Sequence, residues 1–244
     1  MNKKLWATIL ILLAVIFIFA RSDWHFLKKI AGYNVPPLAS PTNIPELTVP
    51  TDVDFLHLPP GFTVSVFAKD LSGPRVIVLD ARGRVLVSEA KEGRVTILED
   101  TDKDGRADKK SILLSALKSP HGLAFYTDPV SKTLYLYVAE AHQVARYGYD
   151  LQNGKILNSV GQNIVTFPAD GGHTTRTIAF GPNLRKNTLI TGVNPLKGFL
   201  SKDKLFVSVG SSCDVCVESS WKRGAILESD PDGNYTAEFA GGLR

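Results

Sequence analysis

The sequence lacks a large excess of charge of either sign. Its formal net charge is only +4 over 244 residues. Part of that excess comes from basic residues that flank one hydrophobic segment, namely Lys3, Lys4, Arg21, Lys28 and Lys29. Domains that bind nucleic acid usually concentrate far more basic charge on one face. The composition therefore gives no support to nucleic acid as a partner.

Cysteine is also scarce, and its spacing narrows what the thiols can do. Cys213 and Cys216 are the only cysteines, and they form a C-x-x-C motif. No histidine follows Cys216, which excludes c-type haem attachment, and two thiols alone make a poor zinc site. Outside the cytoplasm the motif predicts a disulfide within a loop. A redox-active pair is the alternative, although no thioredoxin-like βαβ pattern surrounds it.

The chain has one long hydrophobic run, at residues 5–20, and it follows Lys3 and Lys4. As a helix it would span about 24 Å, a little less than the roughly 30 Å of a bilayer core. The residues before Arg21 match a signal cleavage site poorly. We therefore predict that residues 1–21 form a single-pass anchor in the inner membrane, with the rest of the chain in the periplasm or outside. Secretion after signal cleavage is the alternative.

Residues 22–57 contain many prolines and threonines and show little periodicity. This composition predicts a semi-extended linker, with a strap packed along the domain as the alternative.

From residue 58 onward, short β-prone runs alternate with turn residues. Residues 62–68, 74–80, 84–89 and 93–98 are predicted strands, and a similar series follows Pro120, which lies 46 residues after Pro74. A third series begins at His173, is interrupted by an inserted loop at residues 183–201, and continues at residues 205–209. A fourth unit opens at Gly224. A period of this size with about four strands per unit predicts an all-β fold, a β-propeller with about four blades present; a β-sandwich is the alternative.

Several segments of this propeller resemble one known family. LPPGFTVSVFA, SPHGLAF, GGHTTRTIAFGP, KLFVSVGSSCDVC and the closing GGLR are similar to the soluble quinoprotein glucose dehydrogenases and sorbosone dehydrogenases. The resemblance covers residues 58–244. It implies a six-bladed propeller that uses pyrroloquinoline quinone (PQQ), here truncated because the blades beyond Arg244 are missing.

The resemblance also implies roles for individual residues. His173 matches the histidine that takes the hydroxyl proton of the sugar, a task that suits imidazole. His121 falls where the family has a polar residue beside the cofactor, and Arg244 matches an arginine that pairs with oxygens of the quinone. Ser211 stands where glucose dehydrogenases carry aspartate, as in the sorbosone branch, which argues against glucose specificity. Without the family, His173 and His121 would be interpreted as structural turn histidines.

An acidic segment forms a separate candidate metal site. Asp100, Asp102, Asp104 and Asp108 follow the pattern D-x-D-x-D-G-x-x-D, which resembles the start of an EF-hand calcium loop. The twelfth position is Ser111, so the bidentate glutamate is missing. The segment predicts either a structural calcium site or a solvated hairpin turn.

The sequence leaves two functional hypotheses open. The first is PQQ-dependent oxidation of an aldose or related sugar aldehyde, with electron transfer to a quinone or cytochrome acceptor. The second is a non-catalytic propeller that binds carbohydrate or protein, or an inactive fragment, because a fold alone does not fix activity.

Overall fold

In the computed structural model, residues 56–183 and 203–243 are described. Their secondary structure is all β. The strands are β1 (Pro74–Leu79), β2 (Val85–Glu89), β3 (Arg94–Glu99), β4 (Lys109–Leu114), β5 (Leu123–Thr127), β6 (Leu134–Ala139), β7 (Gln143–Asp150), β8 (Lys155–Ile156), β9 (Gln162–Thr166), β10 (Arg176–Pro182), β11 (Asp203–Val209), β12 (Ala225–Ser229) and β13 (Thr236–Ala240).

These strands form three antiparallel sheets, which we call the first, second and third blades. The first blade has the order β1-β2-β3-β4 and the third has the order β10-β11-β12-β13. In the second blade, β5-β6-β7 is extended by β8 and β9, which both pair with β7. The innermost strand β5 contacts both β1 and β10. The blades therefore lie side by side in chain order, as in a propeller.

Two hydrophobic clusters hold neighbouring blades together. The first and second blades pack through side chains that include Leu86, Ile97 and Leu136. The second and third blades pack through a cluster that includes Tyr137 and Leu205. All five side chains are buried, because alternate residues of each strand face the neighbouring sheet.

Polar side chains also join the blades. The Tyr149 hydroxyl of the second blade donates to Asp80 Oδ2 of the first at 2.7 Å, and Arg84 Nη2 donates to the Leu151 carbonyl oxygen at 2.5 Å. Between the second and third blades, the Tyr137 hydroxyl donates to the Pro231 carbonyl oxygen at 2.5 Å. These buried hydrogen bonds fix the relative placement of the sheets, which apolar contacts alone do less specifically.

Two parts of the sequence prediction are wrong. The segment from Gly224 does not open a fourth blade: β12 pairs with β11 from Leu205↔Ser229 to Val209↔Ala225, so β12 and β13 complete the third blade. The long connection at residues 210–224 obscured this continuity in the sequence, since it separates β11 from β12. The described residues thus contain three blades, not four.

Residues 62–68 are not a strand either. Phe62 closes a turn by donating its backbone N–H to the Pro59 carbonyl oxygen at 3.1 Å. Further on, the carbonyl oxygen of Phe67 accepts from Ala107 N at 2.8 Å, and Lys110 Nζ donates to the carbonyl oxygen of Asp70 at 3.2 Å. The segment therefore lies against the first blade as a strap, and isolated contacts replace a strand ladder.

The predictions for the N-terminal part concern residues that the structure mostly does not describe. The anchor at residues 1–21 and all but the end of the linker at residues 22–57 lie outside the described residues. Within residues 56–183 and 203–243, no helix has the length and apolar character needed to cross a membrane.

The carboxylate of Glu89 gives a test of the first blade. It is fully buried and pairs with Arg94 Nη2 at 2.8 Å. Burial alone would raise its pKa, but hydrogen bonds from the Arg94 side chain, the Ser72 N–H and the Thr96 hydroxyl lower that pKa from the ordinary 4.5 to about 2. The ionised form therefore stabilises the fold above about pH 4.5, and this stabilisation is lost as the pH falls towards 2.

We expect Glu89→Gln to lower the free energy of unfolding by about 3 kcal/mol at neutral pH, because it removes one partner of a buried ion pair. The variant should also lose less stability than the wild type between pH 4.5 and 2. Urea unfolding at several pH values measures both effects. Glu92→Gln, which changes an exposed carboxylate nearby, is the control and should alter stability by less than about 0.5 kcal/mol.

Candidate functional site

His173 lies on the segment that leads into β10, the innermost strand of the third blade. Gly210, which follows β11, comes so close that an added Cβ would lie 2.7 Å from the Cβ of His173. The N–H of Gly172 donates to the carbonyl oxygen of Ser212 at 2.9 Å. An added Cβ at Gly171 would lie 2.7 Å from Ser212 Cα. The glycines at positions 171 and 210 therefore let the histidine segment pack directly on the loop after β11.

The environment of the imidazole fixes which nitrogen carries its proton. His173 Nδ1 lies 3.2 Å from the Ser211 carbonyl oxygen, which can only accept, and 3.2 Å from the Ser211 hydroxyl. Nδ1 therefore donates, and Nε2 of the neutral ring keeps its lone pair. Asp214 Oδ1 lies 3.7 Å from Nε2. Both side chains are at least half exposed, so this carboxylate adds little electrostatic stabilisation.

His121 lies on the corresponding segment before β5. Its Nδ1 is 3.0 Å from the carbonyl oxygen of Arg176 and therefore also donates. Burial lowers the pKa of His121; the hydrogen bond to Arg176 opposes this, while Arg75 and Arg176 reinforce it. The ring is neutral at pH 7. A Cβ at Gly122 would lie 2.7 Å from the same carbonyl oxygen, so the glycine allows this close packing.

Arg176 connects the two histidines and was not predicted from the sequence. Its side chain is fully buried and forms no ion pair with a carboxylate of residues 56–183 or 203–243. Nη1 donates to the carbonyl oxygens of His173 at 2.7 Å and Thr175 at 3.0 Å, and Nη2 donates to that of Ala141 at 3.2 Å. Burial, followed by repulsion from Arg223, lowers the pKa of Arg176 to about 10, so it stays charged at pH 7. The one signal in the sequence that could have identified Arg176 is the presence of a charged residue in an otherwise apolar strand, β10.

Two clefts lie near His173, although the histidine itself lines neither of them. The basic cleft, of about 260 Å³, is lined by Arg75, Lys91, Ser119, His121 and the two residues after His173, Thr174 and Thr175. The loop cleft, of about 450 Å³, is lined by residues that include Ser211, Asp214, Glu218, Trp221, Arg223 and Glu238. The histidine thus neighbours the basic cleft through the chain and the loop cleft through its contacts with Ser211 and Asp214.

A larger cleft lies elsewhere. It measures about 590 Å³ and lies between β4 and β8, lined by Glu99, residues 111–115, residues 153–156 and Ser159. It contains neither histidine and neither arginine of the first two clefts. Size alone therefore does not identify the site, and the chemistry of the side chains favours the region around His173.

Donors in the basic cleft suit an anionic ligand. Arg75 and Lys91 supply positive charge, and Thr174, Thr175 and Ser119 supply hydroxyl groups. A neutral His121, whose proton is on Nδ1, can accept through Nε2 without adding charge. This set fits a planar, carboxylated cofactor. The predicted contact Arg244 lies outside the described residues.

The loop that carries Ser211 and Asp214 contains the disulfide predicted from the sequence. Cys213 and Cys216 are joined, with their Cα atoms 6.1 Å apart. The Ser211 hydroxyl donates to the Cys213 carbonyl oxygen at 2.8 Å, which leaves it free to accept from His173 Nδ1. The disulfide therefore closes the loop at the point where it supports the histidine.

The acidic segment is only partly assembled as the sequence predicts. Carboxylate oxygens of Asp100, Asp102 and Asp108 lie within 4.8 Å of one another. Asp104 is not part of this group, and its Oδ1 accepts from Arg106 N at 2.8 Å. Hydrogen bonds from the side chain and N–H of Thr101 lower the pKa of Asp108, which keeps it ionised. Calcium binding here stays a prediction.

Calcium should raise the melting temperature of the full chain by a few degrees at about 10 mM, given the millimolar affinities usual for extracellular sites. Asp102→Asn should abolish this shift. Asp104→Asn is the matched control and should retain most of it, because Asp104 stands outside the group. Equal shifts in wild type and Asp102→Asn would show that the segment is a solvated turn.

Comparisons with known proteins match the chain to a protein family and to a curated relative. A family model described as TrAA12-like matches residues 56–199. A pyrroloquinoline quinone-dependent sugar dehydrogenase of Hypocrea jecorina (strain QM6a) is 25% identical over 133 residues, which are 54% of this chain and 30% of that protein. The chain thus spans about a third of the length of this curated relative.

The chain is also similar to several solved structures. A Trichoderma reesei carbohydrate-active enzyme of family AA12 is 24% identical with a TM-score of 0.49, covering 67% of this chain and 37% of the other. The PQQ domain of a pyranose dehydrogenase from Coprinopsis cinerea is 21% identical with a TM-score of 0.49, covering 69% of this chain and 36% of the other.

Proposed function

This chain belongs to the TrAA12-like family, and we propose that it is part of a PQQ-dependent dehydrogenase that oxidises an aldose or a related sugar aldehyde. The observation that carries the proposal is that His173 directly precedes two residues of the basic cleft and contacts two residues of the loop cleft. In this arrangement the basic cleft would hold the cofactor, the loop cleft would receive the sugar, and the base would lie next to both.

His173 acts as the general base. Since Nδ1 donates to the Ser211 carbonyl oxygen, the unprotonated Nε2 faces outwards and can accept the proton of a sugar hydroxyl. After proton uptake, Nε2–H would point towards the Asp214 carboxylate. Arg176 holds the backbone of the base through its hydrogen bond to the His173 carbonyl oxygen, and this fixed position aligns the reacting groups.

The basic cleft holds the cofactor. Arg75 and Lys91 would pair with carboxylates of PQQ, the hydroxyls of Thr174 and Thr175 would donate to its oxygens, and His121 would supply a neutral polar group in the same cleft. When bound, PQQ supplies an ortho-quinone that accepts the electron pair removed from the sugar. Arg244 would add a further contact to the quinone oxygens, as the sequence predicts.

Further parts of the proposal concern the setting of the enzyme. A quinone or cytochrome would receive the electrons from the cofactor. Residues 1–21 would anchor the chain in the inner membrane with the propeller in the periplasm, where a disulfide such as Cys213–Cys216 is stable. Calcium bound by the acidic segment would have a structural role, since that segment lies on the connection from β3 to β4.

His173→Asn tests the catalytic proposal. Asparagine can still donate to the Ser211 carbonyl oxygen, but it cannot take up a proton. We expect PQQ affinity, measured by spectroscopic titration of the full chain, to change less than about twofold, while sugar-dependent reduction of a dye falls at least about 100-fold.

Arg75→Ala combined with Lys91→Ala is the complementary variant. It should weaken PQQ binding at least about tenfold, because the carboxylates lose their charged partners. The proposal is contradicted if wild-type chain binds no PQQ, or if His173→Asn reduces the dye as fast as the wild type.

A further inference from the structure

We propose that the loop cleft is a binding subsite for uncharged carbohydrate, with Trp221 as its stacking surface. This inference rests on the proposed function, because it assigns the sugar a place beside His173. The cleft volume of about 450 Å³ lies in the range of small-molecule sites, roughly 300–1,000 Å³. The cleft has an aromatic wall, two buried polar atoms without partners among the described residues, and more carboxylates than basic groups.

Trp221 forms the aromatic wall. Its side chain is 51% exposed although it is the largest apolar group on the loop. The ammonium of Lys222 lies 5.5 Å from the centre of the ring, so one region of the indole is already covered by a cation. The remaining surface is a flat apolar platform beside polar groups. A sugar ring presents C–H groups on one face and hydroxyls at its edge, and such a ligand suits a platform of this kind.

Two buried polar groups in the cleft wall lack partners among the described residues. The Arg223 side chain is only 2% exposed; its Nη2 donates to Asp170 Oδ1 at 2.7 Å, but its Nη1 has no acceptor. Glu218 Oε1 accepts from Ser212 N at 2.6 Å, while Oε2 has no donor. Each unpaired buried group costs about 1–3 kcal/mol. Sugar hydroxyls both donate and accept, so one class of ligand can satisfy both groups.

Charge in the cleft selects against acidic ligands. Asp214, Glu218 and Glu238 contribute carboxylates to the lining, and Arg223 contributes a guanidinium. Lys222 adds a second positive charge next to Trp221. A phosphate or uronic acid would therefore meet more negative than positive charge. An uncharged sugar is free of this repulsion and can accept from Arg223 while donating to the carboxylates.

The position of the cleft connects binding to chemistry. Ser211 and Asp214 line the cleft and also contact the His173 imidazole. A sugar stacked on Trp221 thus lies on the same loop as the support of the base. The disulfide Cys213–Cys216 lines the cleft as well, so the wall that contacts the sugar is covalently closed.

Direct binding to the full chain, without PQQ, tests the subsite. Glucose, cellobiose and glucose 6-phosphate are titrated by calorimetry. The two uncharged sugars should bind, and the phosphorylated sugar should bind at least about tenfold more weakly. Trp221→Ala should weaken binding of the uncharged sugars about tenfold, a loss equal to roughly 1.4 kcal/mol, and Trp221→Phe should restore part of it. Glu218→Gln is a second variant, which keeps the size of the side chain but removes its charge. It should also weaken binding of the uncharged sugars. Circular dichroism confirms that each variant is folded.

Phe62→Ala is the matched control, since Phe62 is 69% exposed but lies outside the cleft. It should leave the affinity unchanged. The inference is overturned if no uncharged sugar binds, if Trp221→Ala and Glu218→Gln bind like the wild type, or if glucose 6-phosphate binds as tightly as glucose. Because the assay omits PQQ, binding that depends on Trp221 would support the subsite even if no dye reduction were found. Turnover that is unaffected by Trp221→Ala would support the enzyme and refute the subsite.

Discussion

One buried guanidinium organises the end of the molecule that holds both histidines. Arg176 is fully buried, and among the described residues its guanidinium donates to backbone carbonyl oxygens and lies 5.1 Å from the centre of the Phe167 ring. Burying an unpaired charge would cost far more than any single contact returns, so the segments that supply these oxygens must stay in place. They belong to the second and third blades, which means that the arginine couples blade packing to the position of His173. Its own carbonyl oxygen fixes His121 in the same way.

The strands and the connections between them have different roles. Strands and the clusters between them carry the apolar stabilisation, while connections at one end carry the chemistry. In the third blade this division is most marked. The strand pair β10–β11 holds His173 against Ser211, and the loop that follows β11 brings a disulfide, Trp221 and Arg223 to the same place. The sheet thus fixes the position of His173, and the loop supplies the aromatic and polar groups next to it.

Sequence patterns predicted most of the strands because short runs of β-branched and aromatic residues stand between turn residues. Alternation of apolar and polar residues was a poorer guide: residues 62–68 alternate but form no strand, whereas β3 and β7 are buried along nearly their whole length. The family resemblance led to His173 and His121.

Arg176 escaped prediction, since its partners are carbonyl oxygens, which every residue possesses and no motif reveals. Trp221 and Arg223 were missed because the loop that carries them, residues 210–224, has no periodicity. The blade count was wrong because this same loop separates β11 from β12, which pair in the sheet.

The hairpin connections at the histidine end differ greatly in length. Residues 90–93 join β2 to β3 and residues 140–142 join β6 to β7, whereas residues 210–224 join β11 to β12. The longer loop begins and ends at strands whose register is fixed by their neighbours. Its residues can therefore be exchanged by evolution, or by a designer, with little effect on the sheet. Substrate preference among relatives should diverge in this loop before the blades themselves change.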